Sequence, residues 1–169
     1  MKKIQLNGNR YRNNPVRGYV LVDDDDYLYL TQFKWHVSWN GYAKRTIVKN
    51  KGNFGMVTMA RDVMGATIGE FIDHIDGNKL NNQKNNLRFA TKSQNGMNRK
   101  APRHNISGYK GVYFDSPTKK WRAEIGFGGA RKKLGRFLFI EDAVRAYNIA
   151  AKKYHGEFAL VHALPLTKE

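Results

Sequence analysis

The string Asp73-His74-Ile75-Asp76-Gly77-Asn78 is followed by Asn86-Leu87-Arg88 and, further on, by Gln94-Asn95. A histidine beside a carboxylate, with amide side chains arriving from downstream, supplies a proton acceptor and hard oxygen donors. Those are the requirements of metal-assisted phosphodiester hydrolysis. One carboxylate and one amide oxygen can hold a single Mg2+ and leave positions for water and phosphate oxygens. If Asp73 and His74 share a strand, their side chains leave it on opposite sides, so that metal and attacking water flank one phosphate. On the residues alone a second use stays open, because an Asp-His pair among asparagines also braces turns. Cys 0 removes disulfides, zinc ribbons and thiol catalysis, which makes a hard cation the default and zinc unexpected.

The elements that must carry these residues can be read from pattern. Four aspartates, Asp23-Asp24-Asp25-Asp26, resemble a metal cluster, but just before Tyr27–Phe33 they suit the cap and first turn of a helix better. Two β-rich runs, Lys34–Trp39 and Tyr42–Val48, meet at Asn40-Gly41, a strong hairpin signal. Gly55–Met59 reads as a further strand and Ala60–Met64 as a short helix ending near Gly65. From Asp73 to Asn98 the chain is dense in asparagine, which marks loops and polar sites. Arg99–Gly108 has no periodicity and reads as a basic linker. Beyond it, Tyr109–Phe114, Lys120–Gly126 and Arg131–Phe137 form a three-stranded meander. Ile140–Tyr154 places Ala143, Ala146, Tyr147, Ala150 and Tyr154 at helical steps, so one helix packs on that sheet and leaves Lys110, Arg122, Arg131 and Lys133 on its outer face.

The 169 residues carry Lys+Arg 30 against Asp+Glu 14, a net charge of +16. The excess is spread along the chain: residues 1–60, 61–105 and 106–169 carry +6, +4 and +6. An extended positive surface of this kind follows a polyanion, and nucleic acid is the expected partner. No apolar run approaches the roughly 20 residues of a membrane span, and the first residues lack the apolar stretch of a secretory signal. No membrane partner and no small-molecule cofactor are expected, and no heptad argues for association, so the chain is expected to be monomeric. His36, His104, His155 and His162 lack ligand-spaced partners and are assigned no chemistry.

The string Ile72–Asn82, with Asn86-Leu87-Arg88, Thr91, Gln94-Asn95 and Asn98, resembles the HNH motif of phage and intron-encoded homing endonucleases. That resemblance implies His74 as general base, Asp73 and Asn95 as metal ligands for Mg2+ (Mn2+ as a substitute), and Asn86 as the middle Asn that braces a ββα-metal hairpin and orients His74. Asn95 stands where many relatives have a final His, and Met59-Ala60-Arg61 where many read Met-His-Arg. The C-terminal third, through Tyr109-Lys110-Gly111-Val112, Lys120–Ile125, Leu134-Gly135-Arg136-Phe137 and Glu141-Asp142-Ala143, is similar to the APETALA-two/ethylene-response-factor DNA-binding domain. In that family the sheet enters the major groove, which here implies DNA contacts from Lys110, Tyr113, Trp121, Arg122, Glu124, Arg131 and Lys133. Arg88, Asn98, Arg99, Lys100 and Arg103 are expected on the DNA as well.

The expected architecture is therefore α+β: residues 1–100 a β-rich region and nuclease core, 101–108 a basic linker, and 109–165 a three-stranded antiparallel sheet on one helix. The expected activity is a site-preferring DNA endonuclease in the cytoplasm of a phage's bacterial host. It acts on double-stranded DNA and nicks to leave 5′-phosphate and 3′-hydroxyl ends. The alternative is a catalytically silent DNA-binding regulator on the same scaffold.

Overall fold

Ile4, Val20 and Val22 leave two short strands on one side, and their burial organises the first part of the chain. The computed structural model describes residues 1–7, 18–48 and 52–164, and the chain divides into two compact units, Met1–Lys92 and Ser93–Glu169. In the first unit, β1 (Lys2–Gln5) and β2 (Tyr19–Val22) pair antiparallel, Ile4 opposite Val20. Helix α1 (Asp24–Leu30) follows with Asp23 at its N-cap and Asp24, Asp25 and Asp26 in its first turn, near the exposed N–H groups as the sequence suggested. Two of these aspartates also hold cations: Asp24 the N-terminal amine at 2.9 Å and Asp26 the Lys84 ammonium at 2.8 Å. Trp35, buried between these elements, donates its indole N–H to the carbonyl of Leu30 at 2.8 Å, so the largest side chain of the core also closes a polar bond.

The hairpin expected at Asn40-Gly41 is present with shorter strands, β3 (His36–Val37) and β4 (Ala43–Val48), and β5 (Phe54–Thr58) completes the sheet. Helix α2 (Met59–Val63) buries Met59 and Ala60 and ends before Gly65, whose φ of 58° supplies the left-handed step. Strands β6 (Phe71–His74) and β7 (Leu87–Ala90) then form a separate two-stranded antiparallel sheet.

Helix α3 (Lys92–Met97) begins at the division between the units. The division thus falls before the basic stretch 101–108, within which Asn105 fixes a turn through its bonds to Ser107 and Tyr109. Strands β8 (Val112–Asp115), β9 (Lys120–Phe127) and β10 (Ala130–Phe137) form one antiparallel sheet in the order β10-β9-β8. Helix α4 (Ile140–His155) packs on it, and Ala143, Val144, Tyr147, Ala150 and Ala151 meet Val112, Ala123 and Ile125 in the core. Residue 165, the expected end of this domain, lies outside the described residues. No helix among the described residues is long and apolar enough to cross a membrane.

The register decides which side chains reach the outer face. Tyr113 lies opposite Arg122, Glu124 opposite Lys133, and Arg122 opposite Arg136, all on the side away from the core. A bulge between Lys133 and Gly135 restores the alternation, so that Phe137 turns inward while Arg136 stays out. Two expectations are corrected here. Trp121 is paired with inward Phe137 and packs edge-on to Phe114 at 5.1 Å, a core-side position rather than a groove-reading one. Lys110 precedes β8 and donates to the carbonyls of Gly96 and Met97 at 2.8 and 2.5 Å, so it caps α3 instead of sharing the outer face. Burial, with Arg99 nearby, lowers its ammonium to about 8.

Gly111 is where side-chain volume is forbidden: at φ 75° a Cβ would lie 2.3 Å from the Tyr147 ring and 2.5 Å from the carbonyl oxygen of Glu124. Gly111→Ala is therefore expected to destabilise the second unit by about 3 kcal/mol, from overpacking plus a strained backbone. Urea unfolding followed by far-UV circular dichroism checks this, and a loss below about 0.5 kcal/mol would contradict it.

Candidate active site

Two ionisable side chains are buried next to one another at the end of β6: Asp73 is 5% and His74 4% exposed. A carboxylate so placed needs a counter-charge, and the antiparallel register puts Arg88 of β7 directly opposite. Its Nε and Nη2 both bond the same carboxylate oxygen of Asp73, at 3.0 and 2.8 Å. Arg88, expected on DNA, has its guanidinium largely buried against Asp73.

His74 leaves the strand on the other side. Its Nε2 lies 3.4 Å from Oδ1 of Asn82, a residue only 1% exposed. Facing a carbonyl oxygen, Nε2 is the protonated nitrogen, which leaves the lone pair of a neutral ring on Nδ1. Burial pushes the His74 pKa below the ordinary histidine value, and this outweighs the opposing pull of Asn82, Asp76 and Asp73. The ring is therefore neutral, as a proton acceptor must be. The Tyr42 ring of the β3–β4 hairpin sits 5.8 Å from it, centroid to centroid.

The chain between β6 and β7, residues 75–86, has little regular structure, and side-chain amides supply its hydrogen bonds. Asn86 Oδ1 accepts from the Asp76 N–H at 3.0 Å, and its Nδ2 donates to Asp76 Oδ1 at 2.9 Å and to the Asn81 carbonyl at 2.8 Å. Asn81 Nδ2 holds the other Asp76 oxygen at 2.9 Å. Asn86 is thus the brace of this loop, while the amide found at the His74 ring is that of Asn82. The loop is also tied to the start of α1: Asp23 accepts from the Gln83 side chain at 3.0 Å and the Lys84 N–H at 2.7 Å. Asn82, Tyr42 and Asp23 were not singled out for the site. Asn82 stood in the motif string, whereas Asp23 reaches a partner 60 residues away and left no local signal.

The remaining expected residues lie in the second unit. Asn95 is on α3, and Asn98, just past its end, is 8% exposed. Arg99, Lys100 and Arg103 are exposed. On the sheet's outer face Arg122 lies over the Tyr113 ring at 5.6 Å, and Glu124 takes Arg131 at 3.0 Å and Arg122 at 3.6 Å. Lys133 sits opposite Glu124 on that face. Among the described residues no three His, Asp or Glu side chains gather around a common point that could hold a metal.

The site thus brings together a buried Asp-His pair on a two-stranded sheet and an asparagine-braced loop between its strands. Residues 68–97 match the family described as HNH endonuclease. The chain is 35% identical over 91 residues to Protein 3.8 of Escherichia phage T7, covering 54% of this chain and 74% of that protein. It is 29% identical over 147 residues to an uncharacterised HNH endonuclease of Acanthamoeba polyphaga mimivirus, covering 83% of this chain and 73% of that one. No solved structure matches significantly. The chain thus carries an HNH endonuclease family segment at residues 68–97.

Two outcomes follow from the loop. Asn86→Ala removes three hydrogen bonds around partly buried groups and is expected to cost about 3 kcal/mol, with faster amide exchange at Ile75 and Asp76. Unchanged exchange would contradict the brace. The bonds to Gln83 and Lys84 hold the Asp23 carboxyl below its ordinary range. At Asp76 burial pulls upward, but bonds from Asn81, Asn78 and Asn86 win and hold it low. A carboxyl depressed in the fold stabilises fully above about pH 4 and loses that contribution as pH falls through its lower folded value. Stability is therefore expected to fall on acidification below about pH 4, less steeply in Asp23→Asn. Melting temperatures measured against pH check this, and parallel curves for parent and variant would contradict it.

Proposed function

We propose that the chain is a homing-type, site-preferring HNH endonuclease that hydrolyses phosphodiester bonds of double-stranded DNA, nicking one strand as a monomer. The observation that supports this most directly is the neutral, buried His74 beside the charge-balanced Asp73. In this reading His74 takes the proton of the attacking water at Nδ1, with Nε2–H held by Asn82 so that the ring faces the phosphate in one orientation. By the HNH resemblance, Asp73, fixed by Arg88, and Asn95 are the residues that would hold a divalent ion. A carboxylate and an amide oxygen are hard donors that suit Mg2+, with Mn2+ as a substitute. When bound, that ion supplies positive charge to the developing phosphorane and the leaving 3′ oxygen. In-line attack leaves 5′-phosphate and 3′-hydroxyl ends. Asn86 acts through the loop as its brace.

The segment 109–165 is read as an APETALA-two/ethylene-response-factor-like domain. Tyr113, Arg122, Glu124, Arg131 and Lys133 on its outer face meet the major groove, and Arg99, Lys100 and Arg103 meet phosphates. Arg136 joins that face from the register. A second reading, a silent DNA-binding regulator, is favoured by one observation: Ala60, 3% exposed in α2, stands where many relatives have histidine.

Supercoiled plasmid separates the two. The parent is expected to convert it to open circles in Mg2+, and His74→Ala to be slower by about 10²- to 10⁴-fold while binding DNA equally. A parent that shifts the plasmid in gels yet leaves it closed in both Mg2+ and Mn2+ would establish the regulator instead.

A further inference from the structure

Trp39 is 91% exposed at the tip of the β3–β4 hairpin. A lone apolar side chain in water needs no explanation by itself. What sets Trp39 apart is how firmly, and beside what, it is held. On its own side of the turn, Ser38 Oγ lies 2.6 Å from Asn40 Oδ1 and 2.9 Å from the Tyr42 carbonyl oxygen. The Gly41 N–H closes the turn on the Ser38 carbonyl at 2.9 Å, with Gly41 at φ 86°. The residues that follow Trp39 are fastened to the nuclease loop. Lys79 donates its ammonium to the Asn40 carbonyl at 2.8 Å and lies 4.6 Å from the Tyr42 ring, which in turn packs on His74. A large flat side chain is thus presented to solvent on a stiff turn whose Asn40 and Tyr42 contact Lys79 of the loop, Tyr42 also packing on the candidate general base.

The occupant of that surface follows from the surrounding charge. Lys44 and Lys79 flank the turn in a chain of net charge +16, so the partner carries phosphates, and the indole face needs a flat apolar surface to cover. DNA offers both, since every base has a π-face between phosphates. We propose that Trp39 is a base-stacking residue: it wedges into a base step beside the phosphate that the nuclease site engages and unstacks that step locally. This rests on the nuclease reading above for the word "beside" and on the DNA partner for its substance.

The test uses the whole chain and plasmid DNA in two arms. In EDTA, tryptophan fluorescence is titrated with DNA while binding is followed by gel shift. In Mg2+, nicking rates are measured for the parent, Trp39→Phe and Trp39→Ala. DNA is expected to quench the parent more than Trp39→Phe at equal binding, the difference reporting Trp39 because the shielded Trp35, 1% exposed, and the half-buried Trp121 are common to both. Nicking by Trp39→Ala is expected to fall about tenfold, and Trp39→Phe to recover most of the loss. A nicking parent matched by both variants in rate and quenching would overturn the stacking role and keep the nuclease reading. A parent quenched through Trp39 that never nicks would retire the nuclease reading and keep the stacking role. A parent that binds no DNA would overturn both.

Discussion

Burying a carboxylate without its counter-charge costs several kcal/mol, and the burial of Asp73 places that demand at the centre of the nuclease unit. Arg88 answers it from the facing strand, and it can do so only in one register. A slip by one residue would send the guanidinium to the other face and leave Asp73 uncompensated. The pair therefore fixes the alignment of β6 and β7, and with it the end at which His74 emerges and the loop begins. Charge balance at Asp73 and proton acceptance at His74 are two results of the same strand pairing.

The loop between those strands meets a different constraint. Beside its backbone hydrogen bonds, asparagines and one aspartate hold it together: Asp76, Asn81 and Asn86 close on one another, and Asn82 reaches the imidazole. This explains the density of amides in the sequence better than ligation alone would. Asn78, Asn81 and Asn86 all bond backbone groups. The anchor at Asp23 then ties the loop to the first core, so that packing of Val20, Val22 and Leu30 bears on the position of the site.

What could be read in the sequence was what repeats locally. The helical steps of Ala143, Tyr147 and Ala150 and the turn at Asn40-Gly41 predicted α4 and the hairpin, because period and turn chemistry lie within a few residues. Strand β1 went unread, for Lys2–Gln5 is short and half charged and becomes a strand only through β2. Residue type likewise misplaced Arg88 and Lys110. Both are cations in a basic chain, but one is drawn to a buried carboxylate and the other to the end of a helix. Trp121 went astray because alternation along β9 places it with Ala123 and Ile125, a parity its aromatic character does not reveal.

The bulge in β10 has a consequence of its own. Before it, odd-numbered residues such as Arg131 and Lys133 face outward; after it, the even-numbered Arg136 does. A single inserted residue has reversed the parity of everything downstream, so the hairpin presents cations on one face along its length without exposing Phe137. Strand composition and face composition are thereby uncoupled. Over generations, gain or loss of one residue at Leu134 can swap a set of displayed side chains in one step, whereas point substitution must exchange them individually.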